Sequence, residues 1–142
     1  MTGDDTDGHV DTIARFAPGN RVVYSGRNAD HHDAAVLESL HQQLSSLAVK
    51  YQWELFELPT PILRSDVDGR LLPATYANFL IVNGAVLVPI YECEEDQVAL
   101  VVIQEAFPGY KIIPVVCSAL AEQHGSLHCS TMQIAQSAVK QA

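Results

Sequence analysis

The residue types best suited to chemistry stand at the two ends of the chain. Near the C-terminus, Gly125-Ser126-Leu127-His128-Cys129-Ser130-Thr131-Met132-Gln133 sets one thiol between an imidazole and two hydroxyls. A cysteine attacks as the thiolate, and a neighbouring imidazole is one standard way to generate it. Successive residues on a strand point to opposite faces, so His128 is expected to be a poor partner for Cys129. A distant histidine such as His9 is the better choice. It lies in Asp5-Thr6-Asp7-Gly8-His9-Val10-Asp11. Two residues apart on an extended segment, His9 and Asp11 project to one side. The imidazole moves protons near neutral pH, and the carboxylate either orients the ring or binds a cation. Gly8 lets the backbone come close to another group. The competing readings are a solvated, frayed terminus for His9 and Asp11, and a chance neighbour of histidine for Cys129.

The other reactive residue types look structural. Cys117 closes an apolar strand and belongs to the core, and Cys93 follows Glu92 at a helix start. His31-His32-Asp33, together with His41, raises a metal reading. However, His32 and Asp33 precede a helix and do not share a face with His41, and no CxxC or HExxH spacing occurs. No metal and no cofactor are expected. Three widely spaced cysteines make no disulfide framework, which favours a reducing compartment. The first residues are polar and acidic without the apolar segment of a signal peptide, and no run reaches the roughly 20 residues of a membrane span. A cytoplasmic protein is expected. Seventeen acids against eight bases give a net charge of -9, which argues against nucleic acid or an anionic membrane as partner and suits a cationic substrate.

The elements that would carry these residues can be read in order. The chain, 1–142, has one domain's worth of material. Thr12 to Phe16 reads as a short strand, then a Pro18-Gly19 turn, then the β-branched strand Arg21–Ser25. Asp33 is a plausible N-cap for a helix to about Tyr51, with Val36, Leu37, Leu40, Leu44, Leu47 and Ala48 at helical spacing. Trp53–Leu58 follows as a strand. Thr60 to Thr75 is a long polar connection, either functional or a surface excursion. The pattern then returns: strand Asn78–Val82, turn Asn83-Gly84, strand Ala85–Ile90, and a helix opening at Glu94-Glu95-Asp96 with Val98, Val101 and Val102 on one face. Strand Lys111–Cys117 ends it, and Thr131 to Ala142 reads as a weak terminal helix. These are two ββαβ units, about 9–59 and 76–130, offset by roughly 65 residues as in an internal duplication. The fold class is α/β.

These residues also resemble a known family. Asp5 through Asp11, Asn78-Phe79 after Ala74-Thr75-Tyr76-Ala77, Asn83-Gly84, Glu94-Glu95-Asp96, Phe107-Pro108 and Gly125 through Cys129 resemble the agmatine deiminase and bacterial-type peptidyl-arginine deiminase family, in the same order and with similar gaps. The match covers nearly the whole chain but only the C-terminal part of a full-length member. The resemblance implies the guanidine-modifying (pentein) fold, a five-bladed α/β propeller of ββαβ units, here an incomplete ring. It implies hydrolysis of a guanidinium group, with agmatine giving N-carbamoylputrescine and ammonia. By resemblance Cys129 is the nucleophile, His9 the general acid/base, Asp5 a further catalytic acid, and Asp11 the carboxylate that grips the guanidinium, with Asn78 and Gly125 at substrate-binding positions. Two departures accompany the match. The family's glycine run before the cysteine is reduced to Gly125 behind Glu122-Gln123-His124. Its second guanidinium-binding carboxylate belongs to an N-terminal half absent from this chain. A truncated chain of weak or no activity is therefore expected, completed by its missing half or by homo-oligomerisation. The alternative is a non-catalytic binding or structural relative.

Overall fold

Two hairpins, each followed by a helix and a third strand, make up most of the molecule. The computed structural model describes residues 9–134 and 138. The first unit opens with a 3-10 turn (Val10–Thr12), then β1 (Ala14–Ala17), β2 (Arg21–Ser25), α1 (Ala34–Tyr51) and β3 (Glu54–Leu58). The second contains β4 (Leu80–Val82), β5 (Ala85–Ile90), α2 (Glu95–Ala106) and β6 (Lys111–Val116), and is followed by α3 (Ser118–Glu122) and a 3-10 turn (His128–Ser130). Each unit forms its own three-stranded sheet in chain order, antiparallel across the hairpin and parallel across the helix. A parallel pairing needs a long crossover, and the helices supply it.

The turns follow from their residues. Asn83 and Gly84 both take positive φ, 48° and 80°, as a two-residue hairpin turn with the strand twist requires. Gly19 and Asn20 also take positive φ, 77° and 58°, in the three-residue turn between β1 and β2. At the end of α1, Gln52 turns left-handed and the chain closes with Trp53 N–H donating to the Ala48 carbonyl at 3.0 Å.

Period-two alternation makes the first sheet two-faced. Val22, Tyr24 and Leu55 pack toward α1 with Leu44 and Leu40. Val23, Phe56 and Leu58 face the other way, into the large core that holds Ala99, Ile103 and Ala106 of α2. Helix α2 thus packs against β2 and β3 of the first unit as well as β6 of its own. Burying a side chain such as Ile103 contributes about 1.5–3 kcal/mol, so this shared helix joins the units.

Several expectations are corrected. The chain after His9 is a 3-10 turn, so His9 and Asp11 do not share an extended segment, and β1 begins only at Ala14. The strand expected from Asn78 begins at Leu80, and Cys117 lies just past β6, with α3 unforeseen after it. Val98 and Val101 are exposed, and the buried stripe of α2 is Ala99, Ile103 and Ala106. Residues 131–134 are not helical, and the rest of the expected terminal helix, apart from Ala138, lies outside the described residues. The connection after Thr60 divides: residues 66–69 are exposed at the surface, whereas every residue from Leu72 to Phe79 is buried.

Candidate active site

Three stretches far apart in sequence meet beside this buried run. The Asp11 carboxylate accepts the Nδ1–H of His128 at 2.8 Å and the Asn78 side-chain amide at 3.1 Å, both on Oδ2. Asn78 then turns its other side-chain atom to the C-terminal stretch, where its Oδ1 accepts the backbone N–H of Cys129 at 3.2 Å. The Asn78 main-chain carbonyl accepts the N–H of His128 at 3.1 Å. Asn78 is fully buried, so its amide is committed to these bonds and cannot exchange them for water. Both 3-10 turns contribute to the meeting. One swings Asp11 inward, and the other presents His128 to it while leaving Cys129 exposed.

The expectation that His128 is a poor partner for Cys129 rested on a strand that is not there, and the role then left unassigned to His128 gains a bonded partner. Strand alternation was applied to a segment that is a 3-10 turn, and His128 is paired with Asp11. Because the carboxylate accepts from Nδ1, the proton of the neutral ring sits there, which leaves Nε2 as the basic nitrogen.

His9 is exposed and precedes the first turn, its carbonyl accepting the Thr12 hydroxyl at 2.7 Å. No hydrogen bond from its ring is found among the described residues. Asp5 lies outside the described residues. Gly125 ends α3, its N–H donating to the Leu120 carbonyl at 3.0 Å; a Cβ there would meet nothing closer than 3.8 Å, so the position does not require glycine for space. At the end of α3, Glu122 is held by Arg70 through both its carbonyl and its carboxylate.

One residue at the site went unnoticed in the sequence. Arg15 on β1 donates to the Phe79 carbonyl and lies over the Phe79 ring, 4.9 Å from its centroid. Burial lowers its pKa, while its charge interactions with Asp11 and Cys129 act the other way. Its only sequence signal is the four-residue spacing from Asp11. Beyond Cys129, Met132–Ile134 and Leu80–Asn83 line an open cleft of about 690 Å³.

The histidine cluster ahead of α1 is differently built. The ligand atoms of His31, His32 and Asp33 lie within 4.8 Å of one another. However, His31 Nδ1 accepts the Asp33 N–H at 3.1 Å, which puts the ring proton on Nε2 and leaves no lone pair to donate to a metal. The positive end of α1 also disfavours a cation. His41 is engaged elsewhere, bonded to the Tyr24 hydroxyl at 2.8 Å. Cys117 is buried and Cys93 half-buried against the Tyr76 hydroxyl, and burial pushes both thiols up.

Two small mixed sheets, each with a helix crossover, thus bring a cysteine, a histidine–carboxylate pair and a buried asparagine together at one place. The chain belongs to the Porphyromonas-type peptidyl-arginine deiminase family, whose model matches residues 1–135. A Porphyromonas gingivalis structure provisionally named arginine deiminase superposes with a TM-score of 0.84 at 46% identity, covering 94% of this chain and 40% of its own. A Campylobacter jejuni agmatine deiminase variant with substrate bound gives 0.81 at 35% identity, over 90% of this chain and 37% of its own. A Vibrio parahaemolyticus protein provisionally named agmatine deiminase is 33% identical over 94% of this chain and 42% of its own. The chain therefore spans about two fifths of the length of these relatives. Its fold is theirs in part: α/β, two ββαβ units of an incomplete propeller. No helix among the described residues is long and apolar enough to cross a membrane.

Proposed function

We propose that the chain carries the nucleophile-bearing portion of a guanidine deiminase, acting on agmatine or a related small cationic guanidine in the cytoplasm. The observation that carries this reading is the convergence of Asp11, Asn78, His128 and Cys129, with sequence separations of 67 and 117 residues between bonded partners. With Oδ2 of Asp11 occupied, Oδ1, which has no hydrogen bond among the described residues, accepts a guanidinium N–H, a charge-assisted bond suited to that planar cation. The Cys129 sulfur attacks the guanidinium carbon, and one C–N bond breaks as ammonia leaves with a proton supplied by His9. Water, giving one proton back to the same imidazole and releasing the other to solvent as the carbonyl forms, then displaces sulfur from the amidino-thioether. The products are the ureido compound (N-carbamoylputrescine from agmatine) and the regenerated thiolate. His128, held by Asp11, fixes the carboxylate that grips the substrate.

A guanidinium held from one side is poorly positioned, and positioning carries much of such a rate. The chain alone is therefore a weak catalyst, and it works in association with a second copy or with the portion that its relatives possess beyond it. A non-catalytic binding role is the second reading, favoured by the same missing length. Alkylation separates the two. The ratio of haloacetamidine to iodoacetamide reactivity should be higher at Cys129 than at Cys93, and agmatine should protect Cys129. Ureido product from agmatine, arginine or an arginyl peptide should be slow and vanish in Cys129→Ser. Equal ratios at the two thiols, with no protection and no product above the Cys129→Ser background, would overturn the deiminase reading.

A further inference from the structure

A second set of buried polar groups lies behind the site and is not used by the chemistry. The Tyr91 hydroxyl donates to the Thr75 carbonyl at 2.9 Å and accepts the Thr75 N–H at 3.0 Å. With its own proton committed, it can only accept from Ser126, whose hydroxyl lies 3.1 Å away. The Thr75 hydroxyl donates to the Thr12 carbonyl at 2.8 Å and accepts the Ala77 N–H at 3.1 Å, with the Ser25 hydroxyl also at 3.1 Å. Asp96 anchors the arrangement from α2, accepting the Tyr91 N–H at 3.0 Å and the Tyr76 hydroxyl at 2.7 Å. Thr12, Ser25, Thr75, Tyr91, Asp96 and Ser126 are all buried.

The endpoints of this set are telling. Thr12 adjoins Asp11, Ala77 adjoins Asn78, and Ser126 stands three residues before Cys129, with its carbonyl accepting the Ser130 hydroxyl at 3.1 Å. We propose that Thr75, Tyr91 and Ser126 are positioning residues: a buried hydroxyl knot that holds the Asp11, Asn78 and Cys129 stretches in register where the two units meet. Hydrophobic contact is non-directional and cannot set the sub-ångström placement that this cluster needs, whereas saturated hydrogen bonds among buried groups can. The Thr75 and Tyr91 hydroxyls each give one proton and receive at least one, and Ser126 gives its proton to Tyr91, so removing Thr75 or Tyr91 leaves buried partners unpaired. Burial raises the Tyr91 pKa, so the knot keeps its proton across the working range of pH. The importance of the knot rests on reading those stretches as the site; its existence as a local constraint does not.

Amide hydrogen exchange of the intact chain tests the knot without reference to turnover. Thr75→Val keeps the shape and removes the hydroxyl. The His128 and Cys129 amides, both bonded to Asn78, should then exchange at least about tenfold faster, while the Val86 and Val88 amides of β5 stay within about twofold. Thr75→Ser should restore the original rates. Should Thr75→Val fail to fold, Ser126→Ala cuts only the last link and should give the same local pattern. Equal acceleration throughout the sheets, no change at His128 and Cys129, or failure of serine to rescue would each overturn the proposal. Local acceleration in a protein whose Cys129 shows no selective alkylation would keep the knot and sink the deiminase reading.

Discussion

His31 shows how one side chain's surroundings decide its role. Its ring is 5% exposed and stacks near His32, with centroids 4.1 Å apart. Burial, and secondarily the His32 charge, lowers its pKa from the ordinary 6.5. The folded chain therefore prefers this ring neutral, and below pH 6.5 the unfolded chain takes up a proton that the folded chain refuses. Its contribution to stability is complete above that pH and is lost as the pH falls toward the folded value. His31→Asn keeps an acceptor near the Asp33 N–H but does not titrate. The melting temperature of the variant should fall less than that of the wild type between about pH 7.5 and pH 5.5; parallel slopes would count against it. At this same scale Cys129 and Asp11 could be singled out in the sequence by type and by motifs that, taken together, resemble a known family. The role of His128 was not legible, since it depends on a 3-10 turn that alternation rules do not anticipate. The residues of the knot carried no signal either: a threonine, a tyrosine and a serine acquire meaning only through partners at separations of 16, 35 and 63 residues.

Elements depend on space as well as on propensity. Gly26 follows β2, its N–H donating to the Leu58 carbonyl and its carbonyl accepting the Thr60 hydroxyl, both at 2.8 Å. A Cβ there would lie 2.3 Å from Glu57 Cγ and 2.5 Å from the Leu58 carbonyl oxygen. The side-chain carbon can swing away, but the backbone oxygen cannot. Gly26→Ala should therefore cost about 1–3 kcal/mol, read as a lower urea midpoint with an unchanged slope. A variant as stable as the wild type would mean that β2 and β3 separate more easily than their hydrogen bonds imply. Strand order and hairpins were readable in advance because Asn83-Gly84, Pro18-Gly19 and the β-branched runs act locally. The buried stripe of α2 was not. Valine is the more apolar residue, so Val98 and Val101 attracted the assignment, yet the narrow space between the two sheets admits Ala99 and Ala106 around Ile103. Which face turns inward is a packing result, set by the distance to a sheet that belongs to the other unit.

The whole molecule is organised around an incompleteness. Helix α2 is shared by both sheets, so the two units hold together as one body, but each sheet ends in two outer strands. Unpaired outer strands offer open backbone groups to any neighbour. Phe16 on β1 and Val116 on β6 are 65% and 57% exposed, so two of these edges are apolar as well. Covering them with a second copy is the association proposed above for a chain that spans about two fifths of its relatives. The net charge of -9 works against it, because two like-charged chains repel until salt screens them. Salt screens the acidic repulsion and leaves apolar contact intact, so association through apolar edges strengthens as ionic strength rises, and this can be measured. At micromolar protein, light scattering should give a mass above 15.5 kDa that rises as salt is raised from about 0.02 M to about 0.3 M, where the Debye length falls several-fold. Association carried by ion pairs would instead weaken over the same range. A well-folded particle of 15.5 kDa at every salt concentration would show that the exposed edges tolerate water. It would also leave the association with the portion its relatives possess beyond this chain as the only route to a complete site.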